Sequence, residues 1–273
     1  MVGRADPPRF VQTGVARQSC AVPARSPPYI EAFRQGLHDL GWVEGQNIVI
    51  ESLFAEGKFD QLLAADLVRL KVDVIAAGPT PPVVAAKNAT RTIPVIMISA
   101  GDPVKLGLVE SLARPGGNVR GLSYSVGVET FGKSLELLKE AVPKVRRVAI
   151  LSNPANPAHA LVLRNMKAVA GPMRVELLFL ETRAPNEFDG AFAAMTKERV
   201  DALLVVADSL FNLHRTWLAE HAAKYRLPSM YGIKENVEPG GLMSYGPNLP
   251  EFYRRSERNR LTSPSSNPLS SSS

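Results

Sequence analysis

A single cysteine, Cys20, stands in the whole chain, so neither an intrachain disulfide nor a cysteine-rich metal site can form. Long apolar runs are missing as well. Nothing approaches the ~20 consecutive apolar residues that a membrane-spanning helix requires, which argues against membrane insertion. An export signal needs an early apolar stretch of ~7 to 15 residues, and "MVGRADPPRFVQTGVARQSCAVPARSPP" offers none, so the chain as written is expected to be cytoplasmic. Catalytic signatures are equally scarce: there is no G-x-S-x-G elbow and no G-x-G-x-x-G after a strand. Of the four histidines, His214 and His221 share one predicted helix but lie seven residues apart. That is too far for a helical metal pair, and Arg215 beside them suggests a solvated face.

The body of the 273-residue chain also lacks an excess of either charge. The formal net charge is +6, but residues 1–25 hold four arginines against Asp6, and residues 254–273 hold four against Glu257. Residues 26–253 balance at 24 basic and 24 acidic. Nucleic-acid binding needs cations clustered on a folded face, so basic ends on a neutral body argue against it.

What is present is alternation. The runs 73–77, 94–98, 148–151 and 202–206 are continuously apolar, as strands covered on both faces of a parallel sheet read. Between them lie stretches with helical period. In "FDQLLAADLVRL" the positions Phe59, Leu62, Leu63, Leu67 and Leu70 recur at steps of three and four. Similar patterns predict helices over 29–40, 104–113 and 210–225, with further helices near 81–90, 129–141, 158–170 and 187–198. Repeated strand–helix–strand order specifies an α/β fold with right-handed crossovers, and two such units make two lobes with parallel sheets. The Gly- and Ser-rich stretch "RPGGNVRGLSYSVG" is the natural boundary, with Val119 to Ser123 and Leu242 to Tyr245 as crossings. The expected layout is an irregular segment over 1–25, in which Phe10 to Val15 could make at most a poor strand, a first lobe over 26–121, a second over 122–243, a return crossing over 244–255 and a disordered Ser-rich tail over 256–273.

In parallel sheets ligands gather beyond the carboxyl ends of the strands, which directs attention to the residues there. Thr80 before Pro81 fits a helix N-cap that can also favour an anion. Ser99 and Asp102 follow the run ending at Ile98, and Asp102 before Pro103 suits either a cap or a partner for a ligand ammonium. Ser123 ends the first crossing, Asn153 follows VAIL and Asp208 follows ALLVVA, where the same two roles are open to the carboxylate. Tyr231 and Tyr245 follow short extended pieces and can either stack on a ligand or pack inside.

The stretches "YIEAFRQGLHDLGWVEGQNIVIE", "LAADLVRLKVDVIAAG", "ISAGDPVKLGLVESLARPGGNVRGLS", "KSLELLKEAVPKVRRVAIL" and "GGLMSYGPNLPEFYRR" together resemble the ABC-transporter substrate-binding protein family that includes the tryptophan- and tyrosine-binding proteins. The resemblance runs from about Ser26 to Arg255. It implies a type 1 periplasmic-binding-protein fold, two Rossmann-like lobes with parallel sheets on a hinge, closing over a small, amino-acid-like solute, with ABC permease subunits as partners. It implies a periplasmic location, no cofactor, no catalytic residue and no metal. Of the candidate ligand contacts, the resemblance carries over Thr80, Asp102, Asn153, Asp208 and Tyr245, and Ser99, Ser123 and Tyr231 join them by their strand-end positions.

Both ends depart from the family pattern. A Pro- and Arg-rich stretch stands where members carry a signal peptide and an apolar first strand, and a Ser-rich tail stands where they continue. The fold is therefore expected to be incomplete at both ends, as in a truncated or non-functional copy, with the neighbours of a central strand left uncovered. Two other functions stay open: a cytoplasmic ligand sensor of the same fold, although ~25 residues are too few for a DNA-reading module, and a racemase-type cleft enzyme.

Overall fold

The computed structural model describes residues 9–14, 28–54, 72–124 and 128–256. The chain forms two compact units, one built from residues up to Tyr124 together with Leu249 onward, the other spanning Ser125–Asn248. The helix expected over 59–70 and the tail beyond 256 lie outside the described residues.

The first unit carries the parallel strands β1 (Arg9–Gly14), β2 (Val49–Phe54), β3 (Val74–Ala77), β4 (Val95–Gly101) and β5 (Val119–Tyr124), in the order β2-β1-β3-β4-β5. The uncovered centre expected from the sequence is not what the structure shows. Segment RFVQTG pairs on both sides, Thr13 opposite Leu53 in β2 and opposite Ala77 in β3. Ladder bonds are made by the backbone, so a segment of modest apolar content can occupy a central position when both neighbours need pairing.

Helix α1 (Pro28–Asp39) ends at Gly41, whose φ of 85° lets its N–H return to the His38 carbonyl at 2.9 Å. Helix α2 is Thr80–Ala89. The continuous apolar runs divide by parity, as strands buried on both faces must. Ile75, Ala77, Val95 and Met97 pack with Val83 and Ala86 of α2, whereas Val74, Ala76, Ile96 and Ile98 pack with Phe33 and Leu37 of α1. The second layer is closed by α8 (Leu249–Arg255), where Tyr253 stacks on Tyr29 with centroids 5.4 Å apart.

Strand β4 contains a bulge. Met97 faces Gly121 and Ala100 faces Ser123, three steps on one strand against two on the other. Gly121 makes the close pairing possible: at φ 137° a Cβ there would lie 2.0 Å from the Met97 carbonyl oxygen.

The helix expected over 104–113 does not form. The Leu108 and Val109 N–H groups both turn back to the Pro103 carbonyl, and Gly107 takes φ 64°. A left-handed glycine in the middle of the run ends helical growth, while Leu108 and Val109 still bury against the α2 side of the sheet.

The second unit repeats the plan with β6 (Arg147–Ser152), β7 (Glu176–Glu181), β8 (Ala202–Val205), β9 (Ser229–Tyr231) and β10 (Met243–Ser244), ordered β10-β9-β8-β6-β7 and parallel throughout. Helices α3 (Val128–Ala141) and α4 (Pro157–Ala170) cover one face, around an apolar cavity lined by Phe131, Leu135, Ile150, Met166 and Leu204 among others. Helix α5 (Phe188–Lys197) and the pair α6 (Ser209–Leu213) and α7 (Arg215–Lys224) cover the opposite face. The single helix expected over 210–225 is thus two, separated at His214 with φ −102° and ψ 23°. Neither His214 nor His221 lies on the solvated face expected for it: His214 packs edge-on to Phe188, and His221 stacks on Trp217 at 3.5 Å.

The two stretches read as crossings are strands. Val119–Tyr124 is the edge of the first sheet beside β4, and Met243–Ser244 is the edge of the second beside β9. Numbered from its own first strand, each sheet has the order 2-1-3-4-5.

Candidate functional site

In a 2-1-3-4-5 sheet the chain leaves the first strand toward one side and later crosses to the other. Loops from strands one and three then diverge and open a crevice at their carboxyl ends. In the first unit that point lies between β1 and β3, in the second between β6 and β8.

At the second switch point four polar side chains form one buried network. Asp208, 5% exposed, caps α6 by accepting the Leu210 N–H on Oδ1 at 2.9 Å. The same oxygen accepts from Asn153 Nδ2 at 3.0 Å, and Oδ2 accepts from Asn156 Nδ2 at 2.8 Å. Asn156 in turn caps α4, its Oδ1 accepting the Ala158 N–H at 3.1 Å ahead of Pro157 in the first helical turn. His159, in the first turn of α4, accepts the Asn153 backbone N–H on Nδ1 at 2.9 Å, and its Nε2 lies 3.2 Å from the Ala207 carbonyl. One ring nitrogen accepts and the other meets an acceptor, so the ring is the neutral Nε2–H tautomer. Burial lowers its pKa, and this outweighs the opposing pull of Asp208, whose Oδ2 is 3.6 Å from Nε2. Asp208 and Asn153, both anticipated, are therefore brought together. Asn156 and His159 were missed, although the paired Asn-Pro steps in "NPANPAHA" carry the capping signal for the first of them.

The first unit gathers its anticipated residues at the ends of β3, β4 and β5, held chiefly by backbone. Thr80 is not the N-cap of α2: Pro79 holds that position, and the Thr80 hydroxyl accepts the Gly101 N–H at 3.0 Å with its side chain fully buried. It ties the helix to the last residue of β4. Ser99 lies inside β4 at the bulge, 1% exposed, and Ser123 sits opposite Ala100. Asp102, expected at a helix start, instead closes a turn. At φ 35° its Oδ1 accepts the Lys105 N–H at 3.3 Å, and its Oδ2 pairs with Lys105 Nζ at 2.7 Å. The carboxylate is there to hold the chain as it leaves the sheet.

The two tyrosines part company. Tyr231 is fully enclosed in the apolar core with Leu203, Val205 and Phe211, which is the packing role, and burial raises its pKa. Tyr245 stands 42% exposed after β10. Among the described residues there is no group of three or more His, Cys, Asp or Glu arranged to hold a metal ion, and no helix is long and apolar enough to cross a membrane.

Two parallel sheets of this order, each presenting polar side chains at its carboxyl edge, define the type 1 periplasmic-binding-protein class. Residues 26–252 match the family described as ABC transporter substrate binding protein, and the chain belongs to it. A curated relative, the tyrosine-binding protein of Clostridioides difficile strain R20291, is 30% identical over 218 residues. That alignment takes in 79% of this chain and 62% of the relative, so the chain spans under two thirds of the relative's length. Two solved structures share the fold with a TM-score of 0.79 each. A conserved domain protein from Vibrio cholerae O1 biovar El Tor is 24% identical, over 92% of this chain and 82% of that one. A Streptococcus pneumoniae ABC domain in complex with L-Trp is 22% identical, over 93% and 83%.

Proposed function

We propose that the chain is the solute-binding component of an ABC import system, capturing an amino-acid-like small molecule and delivering it to permease subunits. The observation that carries this reading is the carboxyl edge of each sheet. Helix starts, hydroxyls, amides and carboxylates converge there, while the described residues hold no metal cluster. Family membership supports it, and the names of the relatives, one tyrosine-binding and one crystallised with L-Trp, favour an aromatic amino acid. The work asked of the protein is reversible binding, so no covalent step is assigned to any residue. The compartment proposed is the space outside the cytoplasmic membrane, where an import system meets its solute.

Isothermal calorimetry of the full chain against the twenty amino acids tests the reading. Saturable binding of L-tyrosine or L-tryptophan with unchanged ligand on recovery supports it. Turnover of an amino acid, or failure of every one to bind, overturns it.

A further inference from the structure

One carboxylate of the second unit is buried without being used. Glu235 lies in the 3-10 turn Lys234–Asn236 that follows β9 and is 9% exposed. Its Oε2 is fully enclosed and receives no hydrogen bond, and among the described residues no basic nitrogen lies within 4.0 Å of the carboxylate. The next residue, Asn236, is 2% exposed and its Oδ1 is likewise enclosed and unpaired. Buried acceptors are normally satisfied, and a buried carboxylate above all, because removing it from water without a donor is costly.

Their place in the fold matters. A Cβ on Gly232, just past β9, would lie 2.7 Å from the Ala207 nitrogen, and one on Gly246 would lie 2.0 Å from the Gly232 carbonyl oxygen. The ends of β8, β9 and β10 are therefore drawn tightly together, and the turn bearing Glu235 leaves from that edge. Asp208, on the same edge, is the opposite case. Its two oxygens already accept three hydrogen bonds from the protein, so it has little left to offer a solute.

We propose that Glu235, with the Asn236 Oδ1, is the acceptor for the ammonium of an amino-acid ligand, and that Asp208 is a scaffold residue that positions the strand ends. A primary ammonium is compact, carries three donors and brings the compensating charge that the enclosed carboxylate lacks. Solutes without a cationic amine are thereby disfavoured. The inference rests on the solute-binding reading above.

Calorimetry on the wild-type chain compares L-tyrosine and L-tryptophan with 3-(4-hydroxyphenyl)propionate and indole-3-propionate, which keep the ring and carboxylate but lack the amine. The amino acids are expected to bind about 10- to 100-fold more tightly, the span of one charge-assisted bond. Glu235→Gln is expected to lose most of that difference. In the ligand-free state it is expected to unfold at a temperature no lower than wild type, because it removes an unpaired charge. Equal affinity for the amine-free analogues, or full retention of the preference by Glu235→Gln, overturns the inference and leaves amino-acid binding standing. A lowered ligand-free midpoint for Glu235→Gln also overturns it, by revealing a protein partner for the carboxylate. Absence of any amino-acid binding by wild type removes both.

Discussion

The two units share one strand order but secure the carboxyl ends of their strands by different means. In the second, side chains do the work: Asp208, Asn153, Asn156 and His159 link the end of β6, the start of α4 and the start of α6 in one buried network. In the first, backbone does most of it, through a bulge in β4, a glycine opposite it and one hydroxyl, Thr80, on the Gly101 N–H. The same topology thus tolerates a polar lock or a steric one. A lock made of side chains concentrates stability in a few residues and ties it to protonation, whereas a backbone lock spreads it over the ladder.

The sharpest break is expected from Asp208→Ala. It strands the two Asn amides and the Leu210 N–H, and at ~1–3 kcal/mol for each buried donor left without an acceptor the loss is about 3 kcal/mol or more. Urea unfolding followed by circular dichroism measures it, and a loss near zero removes the network from the account. In the first unit Gly121→Ala combines a strained φ with a Cβ driven onto the Met97 carbonyl, for about 1–3 kcal/mol, read by the same titration. Thr80→Val keeps shape and drops one buried acceptor, which leaves the Gly101 N–H unpaired at about 1–2 kcal/mol. Asp102→Ala removes a partly exposed turn closure and is expected to cost about 0.5–1 kcal/mol.

Acid separates the units in kind. His159 is held neutral because burial lowers its pKa below the ordinary 6.5, so the unfolded chain binds the proton more readily than the folded one. Stability is therefore full above pH 6.5 and falls as the pH drops below it. Denaturant midpoints should differ little between pH 7.5 and 6.5 and fall from 6.5 to 5.5, and His159→Gln, which keeps a side-chain acceptor, should flatten that part of the profile.

The sequence carried much of the architecture because burial on two faces leaves continuous apolar runs: 73–77, 94–98, 148–151 and 202–206 all fall on strands. β7 escaped notice although Leu177 to Leu180 is itself a continuous apolar run, because this edge strand is short, bounded by Glu176 and Glu181, and only half-buried. β1 was undervalued for a related reason, its place being set by the ladder rather than by hydrophobicity. Gly107 hid the failure of the 104–113 helix, because apolar spacing survives where backbone handedness does not. At the site, residue type and strand-end position pointed to Asp208 and Asn153, but pairing is a property of three dimensions. Only the geometry distinguishes an aspartate whose oxygens are taken from a glutamate whose enclosed Oε2 meets no protein donor.

The first unit is interrupted: its chain stops at Tyr124 and resumes at Leu249, where α8 seals the α1 side of the sheet. During synthesis the inner unit is complete as a contiguous stretch before that sealing helix has left the ribosome, so the outer one must wait with apolar side chains unshielded. Birth order is thereby written into the connectivity, and the portion finished last is the one most exposed to chaperones and proteases while the polypeptide is being made.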